Sequence, residues 1–157
     1  MKKKTLLASG AVVLAAGTFA LSATAFATDG INAPTAQDLA AGVLDGPAKA
    51  KKDKIELEVD QDTAVRAFKL TYTPGSSSGW HRHPGIVVAV VESGTVTRQL
   101  EDDCAVKTFA KGDVFTEVVG HLVANPSATE DAVLRITQFV PAGATPLRQD
   151  MPVDPCP

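Results

Sequence analysis

Three histidines are the residues of this sequence best suited to metal chemistry. They are His81, His83 and His121, and the chain contains no others. His81 and His83 form a His-x-His pair, and an extended backbone places alternate side chains on one face. Pro84 favours that backbone, because the residue before a proline is pushed away from helical geometry. Neutral imidazoles bind divalent transition metals, so the pair predicts two ligands of one ion; the competing interpretation is two surface histidines.

The first 27 residues have the pattern of a secretory signal peptide. Three lysines precede a mainly apolar stretch over residues 6–21, and small residues follow, ending in an Ala-Phe-Ala sequence over residues 25–27. We expect cleavage before Thr28, with residues 23–25 as a second candidate site. Serine, threonine and glycine interrupt the apolar stretch, which disfavours the alternative of a membrane anchor.

The exported chain predicted in this way keeps both of its cysteines. Cys104 and Cys156 would meet an oxidising compartment, where a lone pair of cysteines is more often bridged than free. We therefore predict a Cys104–Cys156 disulfide that ties back a Pro-rich tail over residues 142–157.

The rest of the chain is predicted to be rich in β-strands. Residues 28–53 form an irregular N-terminal arm with at most one short helix, over residues 36–43. A barrel is expected over residues 54–141, where apolar and polar residues alternate over Ile55–Val59 and residues 68–72 in half-buried strands. Short apolar segments continue at residues 86–91, 95–100, 114–119 and 132–140, separated by Gly, Pro and Asp turns. Such strands predict a sandwich or closed barrel, with 86–91 in a central strand because it is apolar on both faces.

Glycines around the histidines add a family resemblance. Gly75 lies six residues before His81, and Gly94 lies eleven residues after His83. This spacing resembles the first motif of the cupin family. Residues 112–125, which begin with Gly-Asp and end in His-x3-Asn, resemble the second cupin motif.

The resemblance covers about residues 68–141 and implies an all-β jelly-roll β-barrel of the cupin type. It also implies a site in which the three histidines hold a divalent transition metal: Zn, Cu, Ni, Mn or Fe. The residues expected to line the pocket are Tyr72, Val87, Val123 and Asn125. Arg98 and Arg135 are interpreted as surface residues.

The sequence departs from the cupin pattern at one ligand. A glutamate normally follows the His-x-His by four or five residues, and here Val87 and Val88 hold those positions. The second motif is also two residues short between Gly112 and His121. Glu117 is a candidate substitute, but it precedes a turn, and we expect its carboxylate to be solvated.

Two functions remain open at this point. The first is a metal-dependent dioxygenase or isomerase acting on a small organic acid or phenolic compound. The second is a non-catalytic barrel that binds or senses a small molecule, with or without metal, and the missing glutamate favours it. A polar acid/base side chain beside the histidines would favour the enzyme, whereas a cavity with a wholly apolar lining would favour the binding barrel.

Composition and charge limit the partners. With 45% hydrophobic and 21% charged residues, the chain is neither disordered nor a coiled coil. Removing residues 1–27 takes away three lysines and no acid, which leaves 12 basic and 18 acidic residues and a formal charge of −6. Such a surface excludes nucleic acid as a natural partner, and we expect no membrane contact after cleavage. The cupin resemblance implies a homodimer in which N-terminal strands such as Ile55–Val59 are exchanged.

Overall fold

A computed structural model describes residues 30–152 and 154–156. Within these ranges the regular structure consists of twelve β-strands. In chain order they are β1 Thr35–Leu44, β2 Ala48–Lys52, β3 Ile55–Val59, β4 Thr63–Tyr72, β5 His81–Arg82, β6 Ile86–Ser93, β7 Thr95–Leu100, β8 Lys107–Ala110, β9 Val114–Glu117, β10 His121–Ala124, β11 Ala132–Pro141 and β12 Gln149–Asp150. None of the described residues forms a helix with the length and apolar character needed to span a membrane. The predicted signal peptide lies outside these residues.

Ten of these strands form two five-stranded sheets. One sheet has the order β1-β4-β11-β6-β9, the other has the order β12-β5-β10-β7-β8, and β2 pairs with β3 as a separate hairpin. All strand pairs are antiparallel. Without the edge strands β1 and β12, the eight central strands cross between the sheets in the order of a jelly roll. The predicted all-β jelly roll is therefore confirmed by the strand order.

The hydrophobic core lies between the two sheets and follows from alternation along the strands. β11 shows this alternation throughout its length, because every second residue from Ala132 to Val140 is buried. In the first sheet, Ile136 lies opposite Phe68 on one side and Ala89 on the other. Leu134 is 1% exposed, and burying a leucine side chain contributes roughly 1.5–3 kcal/mol.

The prediction that residues 86–91 form a central strand is confirmed. β6 lies between β11 and β9 and pairs with both. Its two faces differ, however: Val87, Ala89 and Val91 are buried, whereas Ile86 and Val90 are exposed. The apolar run therefore identified the position of the strand in the sheet but not the burial of its outer face.

The expectation of an irregular N-terminal arm with a helix over residues 36–43 is wrong. β1 covers that segment and pairs with β4 from Thr35 opposite Thr71 to Leu44 opposite Thr63. Alanine, leucine and glutamine in β1 are good helix formers, but local propensity differs by less than about 1 kcal/mol per residue, so the ladder to β4 outweighs it. The β2–β3 hairpin is also more exposed than expected, because four of the five β3 residues are exposed rather than half-buried.

The predicted disulfide between Cys104 and Cys156 is present, with a Cα–Cα separation of 5.4 Å. The disulfide holds the C-terminal tail against the edge of the second sheet at β5. In that tail β12 pairs with β5, and the Met151 amide donates to the Trp80 carbonyl at 2.9 Å. The tail thus covers the strand that carries the His-x-His pair.

Candidate metal centre

The three histidines come together inside the barrel. His81 opens β5, His83 follows that strand, and His121 opens β10 directly opposite His81 in the ladder. The ring centroids are 4.8 Å apart for His81 and His83, 4.2 Å for His81 and His121, and 5.3 Å for His83 and His121. The extended backbone thus places the His-x-His pair on one side of the chain, and the pairing of β10 with β5 supplies the third imidazole.

Backbone carbonyls orient all three imidazoles. Nδ1 lies 3.0 Å from the Gly79 carbonyl in His81, 2.8 Å from the Leu147 carbonyl in His83, and 2.8 Å from the Val119 carbonyl in His121. A carbonyl only accepts, so each Nδ1 carries the proton, and a ring in its neutral form presents the lone pair of Nε2. One nitrogen from each ring lies within 4.8 Å of the other two.

The cluster fits a transition metal by a further observation. Nε2 of His121 is fully buried, and no described residue forms an aligned hydrogen bond with it. Glu117 Oε2 is 3.1 Å away but out of line with the ring nitrogen. An unsatisfied buried nitrogen is costly, and a metal ion bound by the lone pair would satisfy it. Imidazoles whose other nitrogen donates to a backbone carbonyl are the usual arrangement of metal-binding histidines.

Burial sets the protonation of two of these imidazoles. Burial lowers the pKa of His81 well below its ordinary value, and the positive charges of His121 and Arg148 lower it further. Burial also lowers the pKa of His83, although the Leu147 carbonyl and Glu117 oppose the shift. Both rings are therefore neutral at pH 7, as metal ligation requires.

The third imidazole is paired with a carboxylate that we expected to be solvated. Glu117 is only 6% exposed, because β9 alternates and turns Phe115 and Glu117 inward and Thr116 outward. Burial favours the neutral form of both His121 and Glu117, but their mutual attraction outweighs it. The pKa of His121 is accordingly raised and that of Glu117 lowered.

Arg98 fixes the strand that carries Glu117. Its guanidinium lies 5.1 Å from the ring centre of Phe109 and 5.2 Å from that of Phe115, and it donates to the Thr116 carbonyl at 2.6 Å. Arg98 is 8% exposed, so its interpretation as a surface residue is wrong. Arg135 is exposed and pairs with Glu92.

A small cavity is lined by two of the three histidines, His81 and His83. The space open to the centre of a water molecule is about 40 Å³, room for about three waters or a ligand of a few heavy atoms. Its apolar walls include Phe68, Leu70, Val87, Leu134 and Ile136. Its polar lining includes Arg66, Tyr72, His81, His83, Glu117, Gln138 and Arg148.

The residues predicted to line the pocket divide into two groups. Tyr72 and Val87 line the cavity. Val123 lies in the hydrophobic core instead. Asn125 holds loops together: its Nδ2 donates to the carbonyls of Tyr72, Thr73 and Glu130, and its Oδ1 accepts from the Ser127 amide. These bonds explain why Asn125 is buried without facing the cavity.

Sequence reasoning missed several polar residues of the cavity, among them Arg66, Gln138 and Arg148. Arg66 and Gln138 could have been found from alternation, because Arg66 shares the period of Phe68 and Tyr72, and Gln138 shares that of Ile136. Arg148 gave no such signal, because its place depends on how the tail folds over β5. There it donates to the Ser78 carbonyl at 2.6 Å and pairs with Asp150.

No protein-family model matches the chain, and no curated protein matches it. Solved structures with a similar fold include a cupin 2 conserved barrel domain protein from Salinispora arenicola, with 22% identity, 69% of this chain and 76% of that chain covered, and a TM-score of 0.47. A cupin-like protein from Thermotoga maritima has 21% identity and a TM-score of 0.46, and the match covers 55% of this chain and 64% of that chain. The polyketide cyclase RemF from Streptomyces resistomycificus has 13% identity and a TM-score of 0.49, and the match covers 59% of this chain and 64% of that chain.

The matched part spans slightly less than two thirds of the Thermotoga and Streptomyces proteins. The fold and site of this chain define a jelly-roll barrel with an interior three-histidine cluster. The chain is similar to solved cupin structures.

Proposed function

We propose that this chain is an exported cupin in which His81, His83 and His121 hold a divalent transition metal. Two features of the histidine rings carry the proposal. In each ring Nδ1 donates to a backbone carbonyl, and the ligand atoms of the three rings lie within 4.8 Å of one another. The metal class is Zn, Cu, Ni, Mn or Fe, all of which accept imidazole.

The cavity favours a small anionic substrate. A bound divalent metal would supply a Lewis acid that polarises a coordinated oxygen of the substrate. Arg66 and Arg148 place two guanidinium groups along the same cavity, where they would attract the carboxylate of a small organic acid. Burial raises the pKa of the Tyr72 phenol, so this group would keep its proton and act as a hydrogen-bond donor.

These polar side chains support an enzyme more than a passive binding barrel. A dioxygenase or isomerase needs groups that orient the substrate beside the metal, and a lining of arginine, tyrosine and glutamine provides them. The absence of a glutamate at positions 87 and 88 remains the feature that favours a binding or sensing barrel. Turnover of small organic acids or phenolic compounds by the metal-loaded protein distinguishes the two functions.

Elemental analysis tests the metal proposal. The full chain is expressed in a host that exports it and forms disulfides, and the product is purified without chelator or affinity metal. We expect about one equivalent of a transition metal in the wild type and none in the His81→Ala/His83→Ala/His121→Ala variant.

Arg82→Ala is the matched control, because Arg82 lies between two of the histidines and its side chain is 54% exposed. We expect this variant to keep its metal. A folded wild type that holds no metal, even after incubation with each candidate ion, would refute the proposal.

The export and assembly parts of the proposal have their own support. A Cys104–Cys156 disulfide is typical of proteins outside the cytoplasm. Exposed apolar residues on β1 and the hairpin, namely Leu39, Val43, Ile55 and Leu57, would be covered in a homodimer. Light scattering of the purified protein checks the dimer, and fractionation of the expressing cells checks export.

A further inference from the structure

The buried carboxylate of Glu117 points to a role in the metal site itself. Its side chain is 7% exposed, and Oε2 lies 3.1 Å from Nε2 of His121 and 3.7 Å from Nε2 of His83. Two donors held about 2.1 Å from one ion at tetrahedral or octahedral angles are about 3.0–3.4 Å apart. The carboxylate oxygen therefore already lies at about the distance from His121 Nε2 that two ligands of one ion require.

We propose that Glu117 is the fourth protein ligand of the metal, completing a set of three imidazoles and one carboxylate. This inference rests on the proposed function, because it assumes that the histidines bind metal. The set would reduce the formal charge of the bound site from +2 to +1.

Charge in the interior supports this role. A buried carboxylate is costly unless a positive group compensates it. Among the described residues no lysine or arginine nitrogen lies within 4 Å of the Glu117 carboxylate, and its close partners are His83 and His121. When both rings bind a metal ion as neutral ligands, neither supplies the positive charge that a buried carboxylate requires. The metal ion then becomes the counter-ion of Glu117.

The strand register explains how β9 delivers this carboxylate. Glu117 lies directly opposite Val87 in the β6–β9 ladder. Residues opposite each other in an antiparallel pair point to the same face, with Cβ atoms about 4.5–5.5 Å apart. A carboxylate at either position therefore faces the histidines from nearly the same place. A carboxylate at Thr116 faces the other way, because neighbouring residues of a strand point to opposite faces.

This register gives a relocation test. Co²⁺ binding is followed by visible absorption in the full-length purified protein and in three variants: Glu117→Gln, the double variant Val87→Glu/Glu117→Val, and its matched control Thr116→Glu/Glu117→Val. Thermal melting in the presence of chelator checks that each variant is folded.

We expect Glu117→Gln to weaken Co²⁺ binding at least about tenfold and to change the absorption spectrum. Moving the carboxylate to position 87 should restore binding, and moving it to position 116 should not. Two results would overturn the ligand assignment: wild-type affinity and spectrum in Glu117→Gln, or equal restoration by both relocated variants, which would make net charge the only requirement.

Failure of the proposed function gives a different result. In that case the wild-type protein itself would bind no Co²⁺ at the histidines, and its titration would match that of the triple histidine variant.

Discussion

The C-terminal tail should control both the stability of the barrel and the strength of the metal site. The perturbation is the double variant Cys104→Ser/Cys156→Ser, which removes the disulfide. The two cysteines are separated by 52 residues in the sequence. In the loop-entropy description, a cross-link closing a loop of that length stabilises the folded protein by about 4 kcal/mol. We expect the variant to lose up to this amount of unfolding free energy.

The same change should weaken metal binding, because the tail supplies the Leu147 carbonyl that accepts from His83 Nδ1. With the tail released, His83 loses the partner that fixes its tautomer and ring orientation. Loss of such an outer hydrogen bond typically costs 10–100-fold in metal affinity, and we expect about tenfold because the pairing of β12 with β5 remains available.

Two assays measure these effects. Urea unfolding of metal-free protein gives the free energy, and Co²⁺ titration under conditions where the variant is folded gives the affinity. Lys107→Ala is the control, since Lys107 lies near Cys104 at the start of β8 and its side chain is 53% exposed. An unchanged dissociation constant for Co²⁺ in a destabilised variant would refute the positioning role of the tail. An unchanged unfolding free energy would refute the stabilising role.

Three further predictions concern pH, the loops and the cavity. Because Glu117 raises the pKa of His121 in the metal-free protein, protons should compete with Co²⁺ already above pH 6.5. The affinity for Co²⁺ should therefore fall as the pH is lowered from about 8 to about 5, and a constant affinity would contradict histidine ligation. Asn125→Ala should lower the unfolding free energy measured in urea by about 2–4 kcal/mol, because it leaves buried carbonyls unpaired. Its metal content should stay unchanged, and loss of metal from the folded variant would contradict a structural role. Arg66→Gln should weaken acetate binding to the Co²⁺-loaded protein about tenfold, because it removes a charge-assisted partner for the carboxylate. Visible absorption measures the binding, and equal affinity in the variant would show that Arg66 does not contact the anion.

Much of the site could be predicted because short-range rules determine it. Alternation along an extended chain put His81 and His83 together, and Pro84 made that extended geometry the better interpretation. The third histidine of the cluster, His121, needed motif spacing as well, since its partner strand β5 is 40 residues earlier in the chain. The disulfide followed from having one pair of cysteines in a chain expected to be exported.

The parts that sequence reasoning missed depend on how distant segments pack. β1 has a sequence that suits a helix, and only its ladder with β4 makes it a strand. Glu117 shares the period of Phe115, but a turn two residues later suggested solvent rather than the barrel interior. The Leu147 carbonyl carries no side-chain signal at all, so its hydrogen bond to His83 was beyond any reading of motifs.

The measurement that tests the metal site most directly is ¹⁵N NMR of the histidine side chains, before and after addition of Zn²⁺. The chain has three histidines, so the spectrum contains only the three rings in question. At about pH 8, the carbonyl partners predict that Nδ1 is protonated in every ring and that Zn²⁺ shifts the Nε2 signals of all three. A ring whose Nε2 signal does not respond to Zn²⁺, or a ring that binds through Nδ1, would contradict the three-histidine site.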